Sequence, residues 1–191
     1  MLALASASSC AFHGPAPMVR PVGVSMMAKS QAFPNQAAPA HLEGYVGNVG
    51  FDPLGLSSPQ NIKWMREAEL EHGRVCMLAW TGYVAVDLGI KFPGEKYASL
   101  TSFTAHDTTA KYELFLLLLL VGTAETIKFS AIYGDSERAP GDFGFDPLKM
   151  LTPATEKQYK EAEIQHCRLA MMAFAGVVTQ SAIGHPAFPY V

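Results

Sequence analysis

Arg66–Gly82 reads REAELEHGRVCMLAWTG, and Lys160–Gly176 reads KEAEIQHCRLAMMAFAG. Eight of the 17 aligned positions are identical: Glu, Ala, Glu, His, Arg, Met, Ala and Gly. The shift is 94 residues, and at that same shift Gly50-Phe51-Asp52-Pro53-Leu54 returns as Gly144-Phe145-Asp146-Pro147-Leu148. Two blocks at one offset make the chain a pair of related halves around a middle segment.

Each half opens on a Gly-Phe-Asp-Pro-Leu turn, where Pro fixes its own backbone and holds the preceding Asp extended. Ser58-Pro59 and Thr152-Pro153 then read as helix starts, a capping hydroxyl followed by Pro in the first turn. The spacing predicts helices over Pro59–Ile90 and Pro153–Ile183, each polar at its start and apolar over Val75–Ile90 or Leu169–Ile183. The middle segment Lys111–Tyr133, with its Leu-rich run Leu114–Val121, is a third helix about 34 Å long, enough for a bilayer. Lys91–Ala110 and Gly134–Lys157 read as loops. The expected fold is an all-α membrane protein of three transmembrane helices, with the first and third related by a pseudo-two-fold axis.

Composition agrees with a membrane setting. Charged residues make up 16% of the chain and hydrophobic ones 49%, against roughly 25% charged in soluble domains. The net charge of -3 gives no reason to expect nucleic acid. Cys10, Cys76 and Cys167 form no CxxC pair and read as free thiols, with no disulfide framework or zinc site. The first 42 residues hold no Asp or Glu but many Ser, Ala and Pro. That is the composition of an organelle transit segment, placed at 1–29, with a three-helix domain over 30–191.

Each repeat carries Glu-x-x-His-x-Arg: Glu69, His72, Arg74 and Glu163, His166, Arg168. Four unpaired charges at bilayer depth cost on the order of 10 kcal/mol, so they are expected to pair. Within one helix Glu69 and Arg74 lie about 140° apart around the axis, which is poor geometry. Across the pseudo-two-fold axis Glu69 meets Arg168 and Glu163 meets Arg74. Gly73, Ala79, Gly82, Ala173 and Gly176 would let the helices approach closely. An Arg-neutralised carboxylate is a net-neutral oxygen donor suited to Mg²⁺, and His adds an imidazole nitrogen. Gln180 lies within about 40° of the face of His166, four turns on. Glu125 and Lys128 form an i,i+3 pair in an apolar setting and offer another compensated ligand. Glu113 reads as an N-terminal charge on the middle helix. His41, His106 and His185 read as exposed bystanders. The same motifs are compatible with a structural ion-pair lock, or with a di-iron carboxylate bundle built on two Glu-x-x-His motifs. The latter lacks a fourth helix here, and each Arg competes for its carboxylate. No residue set reads as a nucleophile or general base in a cleft, so no enzyme is expected.

EAELEHGRVCMLA, EAEIQHCRLAMMA, the two GFDPL stretches and VGTAETIK resemble the light-harvesting chlorophyll-binding family of thylakoid membranes, over about Leu42 to Val191. The resemblance implies that Glu69 and Glu163 each coordinate a chlorophyll magnesium while bonded to Arg168 and Arg74. It implies His72 as a further ligand, and Glu125 and Gln180 fall on family ligand positions. His166 stands where green-plant members usually have Asn, and is expected to bind magnesium directly. Leu117 stands where those members place a Gln. The loops at Phe51, Asp52, Pro53 and Phe145, Asp146, Pro147 look like those holding the ends of two central carotenoids. Short loops and the Phe188-Pro189-Tyr190 ending look like the algal chlorophyll a/c branch, which implies chlorophyll a, chlorophyll c and xanthophylls of fucoxanthin or peridinin type. The run Arg74–Trp80, continuing to Val86–Gly89, looks like members around photosystem I. The implied protein is a multi-pass chloroplast thylakoid antenna whose first and third transmembrane helices cross at the centre, with a stromal N-terminus. Its partners are pigments, thylakoid lipid, other antenna subunits and a photosystem core. A photoprotective quencher on the same fold is the alternative.

Overall fold

The computed structural model describes residues 29–35, 37–109, 111–134, 138–185 and 188–190. The expected transit segment lies outside them except for Lys29, which forms an isolated antiparallel bridge with Ala37. The elements in order are a 3-10 turn at Ala40–Leu42, then α1 (Ile62–Asp87), α2 (Glu95–Ala98), α3 (Ala105–Thr108), α4 (Lys111–Gly134) and α5 (Glu156–Ile183). The three long helices contain 26, 24 and 28 residues. The loops expected over 91–110 thus include two single-turn helices.

Regular helix starts three residues later than the sequence suggests, after Pro59 and Pro153. The reason is a tight entry turn. The Ser58 carbonyl accepts from the N–H groups of Asn61 and Ile62 at 3.2 and 3.0 Å. The Ser58 hydroxyl accepts from the Asn61 N–H at 3.3 Å, and Asn61 Oδ1 accepts from the Ser58 N–H at 2.7 Å. That exchange is a capping box with Asn in the third position. In the second half Thr152 and Thr155 do the equivalent work: the Thr152 N–H donates to Thr155 Oγ1 at 3.3 Å. The first helix also ends earlier than Ile90, because Gly89 adopts a φ of 94° that breaks the helix.

Among the long helices, α1 packs on α5 and α4 stands outside that pair. The closest approach lies at Gly73 and Cys167, which occupy the same position of the repeat. A β-carbon added at Gly73 would fall 2.2 Å from Cys167 Cβ. Around this point Leu70, Ile164 and Cys167 form the buried cluster, with Met77 packed against it. Leu70 and Ile164 are again repeat equivalents, so the core is a two-fold arrangement. The small residues expected to line the contact do not all do so: Gly82 and Gly176 face open space, with nothing within 4 Å of an added β-carbon. Beyond them Tyr83 and Phe174 meet edge to face at 6.2 Å. The thiols of Cys76 and Cys167 are free, as expected.

Among the described residues no helix is long and apolar enough to cross a membrane. The first halves of α1 and α5 hold the charged repeat motifs, and α4 carries Glu113, Glu125 and Lys128. Yet large apolar side chains lie open along all three: Val75 and Leu78 on α1, Leu116 to Leu120 and Ile127 on α4, Leu169 and Met172 on α5. Apolar surface this continuous needs a cover.

The crossing makes a pair of variants informative. Gly73→Ala should lower thermal stability, followed by circular dichroism, by about 1–3 kcal/mol, because the added carbon overpacks the contact. Adding Cys167→Gly to that variant should restore most of the loss, since a β-carbon and its absence then trade places across the axis. A double variant no more stable than the single one would show that the crossing is not set at this point.

Candidate functional site

The cross-helix pairing expected from the 140° separation is present. Arg168 Nε donates to Glu69 Oε1 at 2.8 Å, and Arg74 Nε donates to Glu163 Oε1 at 2.8 Å. Each Arg also does something the sequence reading did not include. Arg168 Nη1 donates to the Gly47 carbonyl at 2.8 Å, and Arg74 Nη2 donates to the Gly141 carbonyl at 2.9 Å. Gly47 and Gly141 are themselves 94 residues apart. Both take positive φ, 69° and 78°, and a β-carbon there would strike Ile164 and Leu70 respectively. Each guanidinium therefore ties three pieces together: its own helix, the partner helix and the loop entering that partner.

The loops repeat in equal detail. Asn48 Oδ1 accepts from the Gly50 N–H at 2.8 Å, and Asp142 Oδ1 accepts from the Gly144 N–H at 2.9 Å. Asp52 accepts from the N–H groups of Leu56 and Ser57, both at 3.0 Å. Asp146 accepts from those of Met150 and Leu151 at 3.2 and 3.0 Å. The two carboxylates thus fold their own loops, leaving Phe51 and Phe145 exposed beside Pro53 and Pro147. Hydrogen bonds, first from the Ser57 hydroxyl, hold the Asp52 carboxyl below its usual range. That contribution to stability is complete above the ordinary Asp pKa and fades as pH falls through the lowered value. His41 is not a bystander: its Nε2 lies 2.6 Å from Ser57 Oγ. Ser30 is buried and donates to the Gly50 carbonyl at 2.7 Å, docking the segment before the repeat onto the first loop. Beside the second loop a groove of about 1040 Å³ opens, lined in part by Phe143, Phe145, Tyr159 and Glu163.

His72 Nδ1 lies 2.7 Å from the Ala68 carbonyl and His166 Nδ1 lies 2.7 Å from the Ala162 carbonyl. A carbonyl only accepts, so Nδ1 carries the proton in both rings. Nε2 then keeps its lone pair, which is the tautomer of an imidazole ligand oriented by its other nitrogen. Both histidines are exposed. Gln180 is exposed one turn before the end of α5. Glu125 is exposed on α4 and its Oε1 accepts from Lys128 at 2.9 Å, the expected i,i+3 pair. Lys128 also pairs with Glu71 of α1, a contact that needs the placement of α4 to be seen. Glu67 was likewise not singled out. It is buried, 3.1 Å from Arg138 Nη2, and accepts from the Gly141 N–H at 2.6 Å. Among the described residues no group of three or more His, Cys, Asp or Glu could hold a metal ion, so the two Glu-x-x-His motifs do not converge as a di-iron centre requires.

Comparison with known proteins gives a match of residues 38–182 to the family model described as chlorophyll A-B binding protein. The chain is 37% identical over 153 residues to the light-harvesting complex I LH38 proteins of Euglena gracilis, covering 78% of this chain and 26% of theirs. It is 34% identical over 170 residues to chlorophyll a-b binding protein 7, chloroplastic, of Solanum lycopersicum, covering 75% and 62%. It is 30% identical over 204 residues to the fucoxanthin-chlorophyll a-c binding protein, chloroplastic, of Isochrysis galbana, covering 96% and 93%. The chain therefore spans less than two thirds of the Euglena and tomato proteins.

Double-variant cycles test the pairing. Glu69→Gln with Arg168→Leu, and Glu163→Gln with Arg74→Leu, should each give a coupling energy of roughly 1–2 kcal/mol in thermal unfolding. Glu69→Gln with Arg74→Leu, on one helix, should couple far less. Coupling concentrated within α1 instead would refute the cross-helix lock.

Proposed function

The chain belongs to the chlorophyll A-B binding protein family, and on that premise we propose that it is a light-harvesting antenna of the chloroplast thylakoid membrane that binds chlorophyll and carotenoid and passes excitation energy to a photosystem. The observation that carries this reading is the repeated donor set. In each half an imidazole keeps Nε2 bare because Nδ1 is spent on a backbone carbonyl, three residues after a carboxylate offset by an Arg of the other helix. Such nitrogen and charge-compensated oxygen donors would suit a chlorophyll magnesium. The donors sit beside open apolar side chains such as Val75, Leu78, Leu169 and Met172, which suit a flat hydrophobic ring.

When bound, chlorophyll supplies the absorption and the excited state. The protein's own part is to fix positions. Glu69, His72, Glu163, His166 and Gln180 on the stiff pair α1 and α5, and Glu125 on α4, are the residues that would hold chlorophyll magnesium. Arg74 and Arg168 cancel the charge of the two central carboxylates, which lowers the cost of placing them at bilayer depth. In this reading α1, α4 and α5 are the three spans, with the polar starts of α1 and α5 toward the stroma. The apolar rings of Phe51 and Phe145, with Pro53 and Pro147, face the ends of two carotenoids, while Asp52 and Asp146 hold those loops in shape. The identity to a fucoxanthin-chlorophyll a-c binding protein over nearly the whole chain supports chlorophyll a, chlorophyll c and xanthophylls as the pigments. The Euglena light-harvesting complex I relative supports photosystem I as the energy acceptor, with lipid and other antenna subunits as neighbours. The protein works by binding and not by catalysis.

Pigment extraction from the purified protein tests the function, since the reading requires chlorophyll in stoichiometric amount. His166→Leu should lose one chlorophyll while the helices survive, because both ion pairs remain. His166→Asn should keep it, since an amide oxygen also serves magnesium. Unchanged chlorophyll content in His166→Leu would sink the assignment of that ligand.

A further inference from the structure

The two central carboxylates are repeat equivalents, but they are not loaded alike. Glu69 receives two cations. Oε1 accepts from Arg168 Nε at 2.8 Å, and Oε2 accepts from Arg66 Nη1 at 2.8 Å. Arg66 is held firmly: its side chain is 11% exposed, and its guanidinium lies 5.5 Å from the centre of the Tyr45 ring. Glu163 receives one cation. Both Arg74 Nε and Nη2 reach Oε1 at 2.8 Å, and among the described residues no hydrogen bond reaches Oε2. The repeat equivalent of Arg66 is Lys160, which turns to Glu156 at 2.5 Å instead. The Glu163 group is therefore neutral with one oxygen bare. The Glu69 group carries one net positive charge with both oxygens engaged.

We propose that Arg66 makes Glu69 the weaker and spectrally distinct member of the two repeat-related magnesium ligands. This rests on the pigment-binding reading above. The chemistry is direct. Each charge-assisted hydrogen bond withdraws electron density from the carboxylate and lowers its strength as a donor. The uncancelled charge also repels a cation centre and perturbs the excited state of a ring bound beside it, the more so in a low-dielectric setting. Glu163, with Oε2 bare, would be the stronger donor to a magnesium centre. Arg66 is a positioning and tuning residue, acting through Glu69.

The test uses the pigment-loaded full chain, with Arg66→Gln, Arg66→Lys and Lys160→Gln compared to the unmodified protein. Glu69→Leu serves as the marker of the band belonging to that site. Arg66→Gln should keep helicity and chlorophyll per polypeptide. It should release one chlorophyll about tenfold more slowly in dilute detergent, the scale of one charge-assisted hydrogen bond. Its low-temperature difference spectrum should alter the same band that Glu69→Leu deletes. Arg66→Lys, with the charge kept, should stay close to the unmodified spectrum, and Lys160→Gln should change neither readout. Loss of the chlorophyll in a folded Arg66→Gln protein, an altered band other than the Glu69 one, or an equal effect from Lys160→Gln would overturn the proposal. An unmodified chain purified without chlorophyll would overturn the pigment-binding reading and this proposal with it.

Discussion

Everything in the described structure hangs on two guanidinium groups, Arg74 and Arg168. Each spends one nitrogen on a carboxylate of the other helix and another on a loop carbonyl. The alternative for any of these groups is an unpaired charge among apolar side chains, which is costlier than the net worth of the pair itself. The lock is therefore a constraint on geometry more than a store of stability. It sets which face of α1 meets α5 and fixes the entry path of both preceding loops. The opposite faces, which carry His72 and His166, are left open. Among the described residues the apolar cluster between the two helices is small: Leu70, Ile164 and Cys167. Many large apolar side chains of the described residues are exposed, and apolar surface of that extent marks a face that binds something.

The offset of 94 residues made much of this legible. It located the two Glu-x-x-His-x-Arg motifs, and helical arithmetic then excluded pairing within one helix and left the cross-helix solution. The same offset also held signals that were passed over. Gly47 and Gly141 stand at it, three residues before the Gly-Phe-Asp-Pro-Leu blocks. A repeated glycine just before a repeated turn is a fair sign of positive φ or close approach. The Arg66–Glu69 spacing of three was likewise readable as a helical pair. Other features had no local signal. That Lys128 reaches Glu71 depends on where α4 stands. That Tyr190 is buried, with its hydroxyl donating to Asp87 at 2.6 Å, depends on the chain end folding back over Tyr83. Regular helix begins one turn after the sequence expectation because Pro59 and Pro153 sit in a hydrogen-bonded entry turn rather than in the helix itself.

What the two halves do not share is as informative as what they do. Equivalent positions such as Gly73 and Cys167, or Leu70 and Ile164, sit at or near the axis, where each half meets the other. Other equivalent positions sit where one half has a neighbour that the other lacks, whether or not the residue type changes. Glu71 of α1 becomes Gln165 in α5, and only Glu71 has α4 and its Lys128 to meet. Glu67 is buried against Arg138 and the Gly141 N–H, while its equivalent Glu161 is exposed. Arg138 belongs to the connection after α4, and the first half has Gly44 at the equivalent position. Asp87 takes donors from Ser102 and Tyr190, while the equivalent position in α5 is Ser181. A symmetric frame thus carries asymmetric attachments, and these three fall on one-sided contacts. The same logic bears on Arg66 and Lys160. Tyr45, in the loop entering α1, gives Arg66 an aromatic face to lie on, and its equivalent Ala139 gives Lys160 none. The long cation of the first half is thereby steered onto Glu69, and that of the second is left to its own helix. The two repeat-related carboxylates thus share one kind of lock but gather different charge around them, two guanidinium groups at Glu69 and one at Glu163.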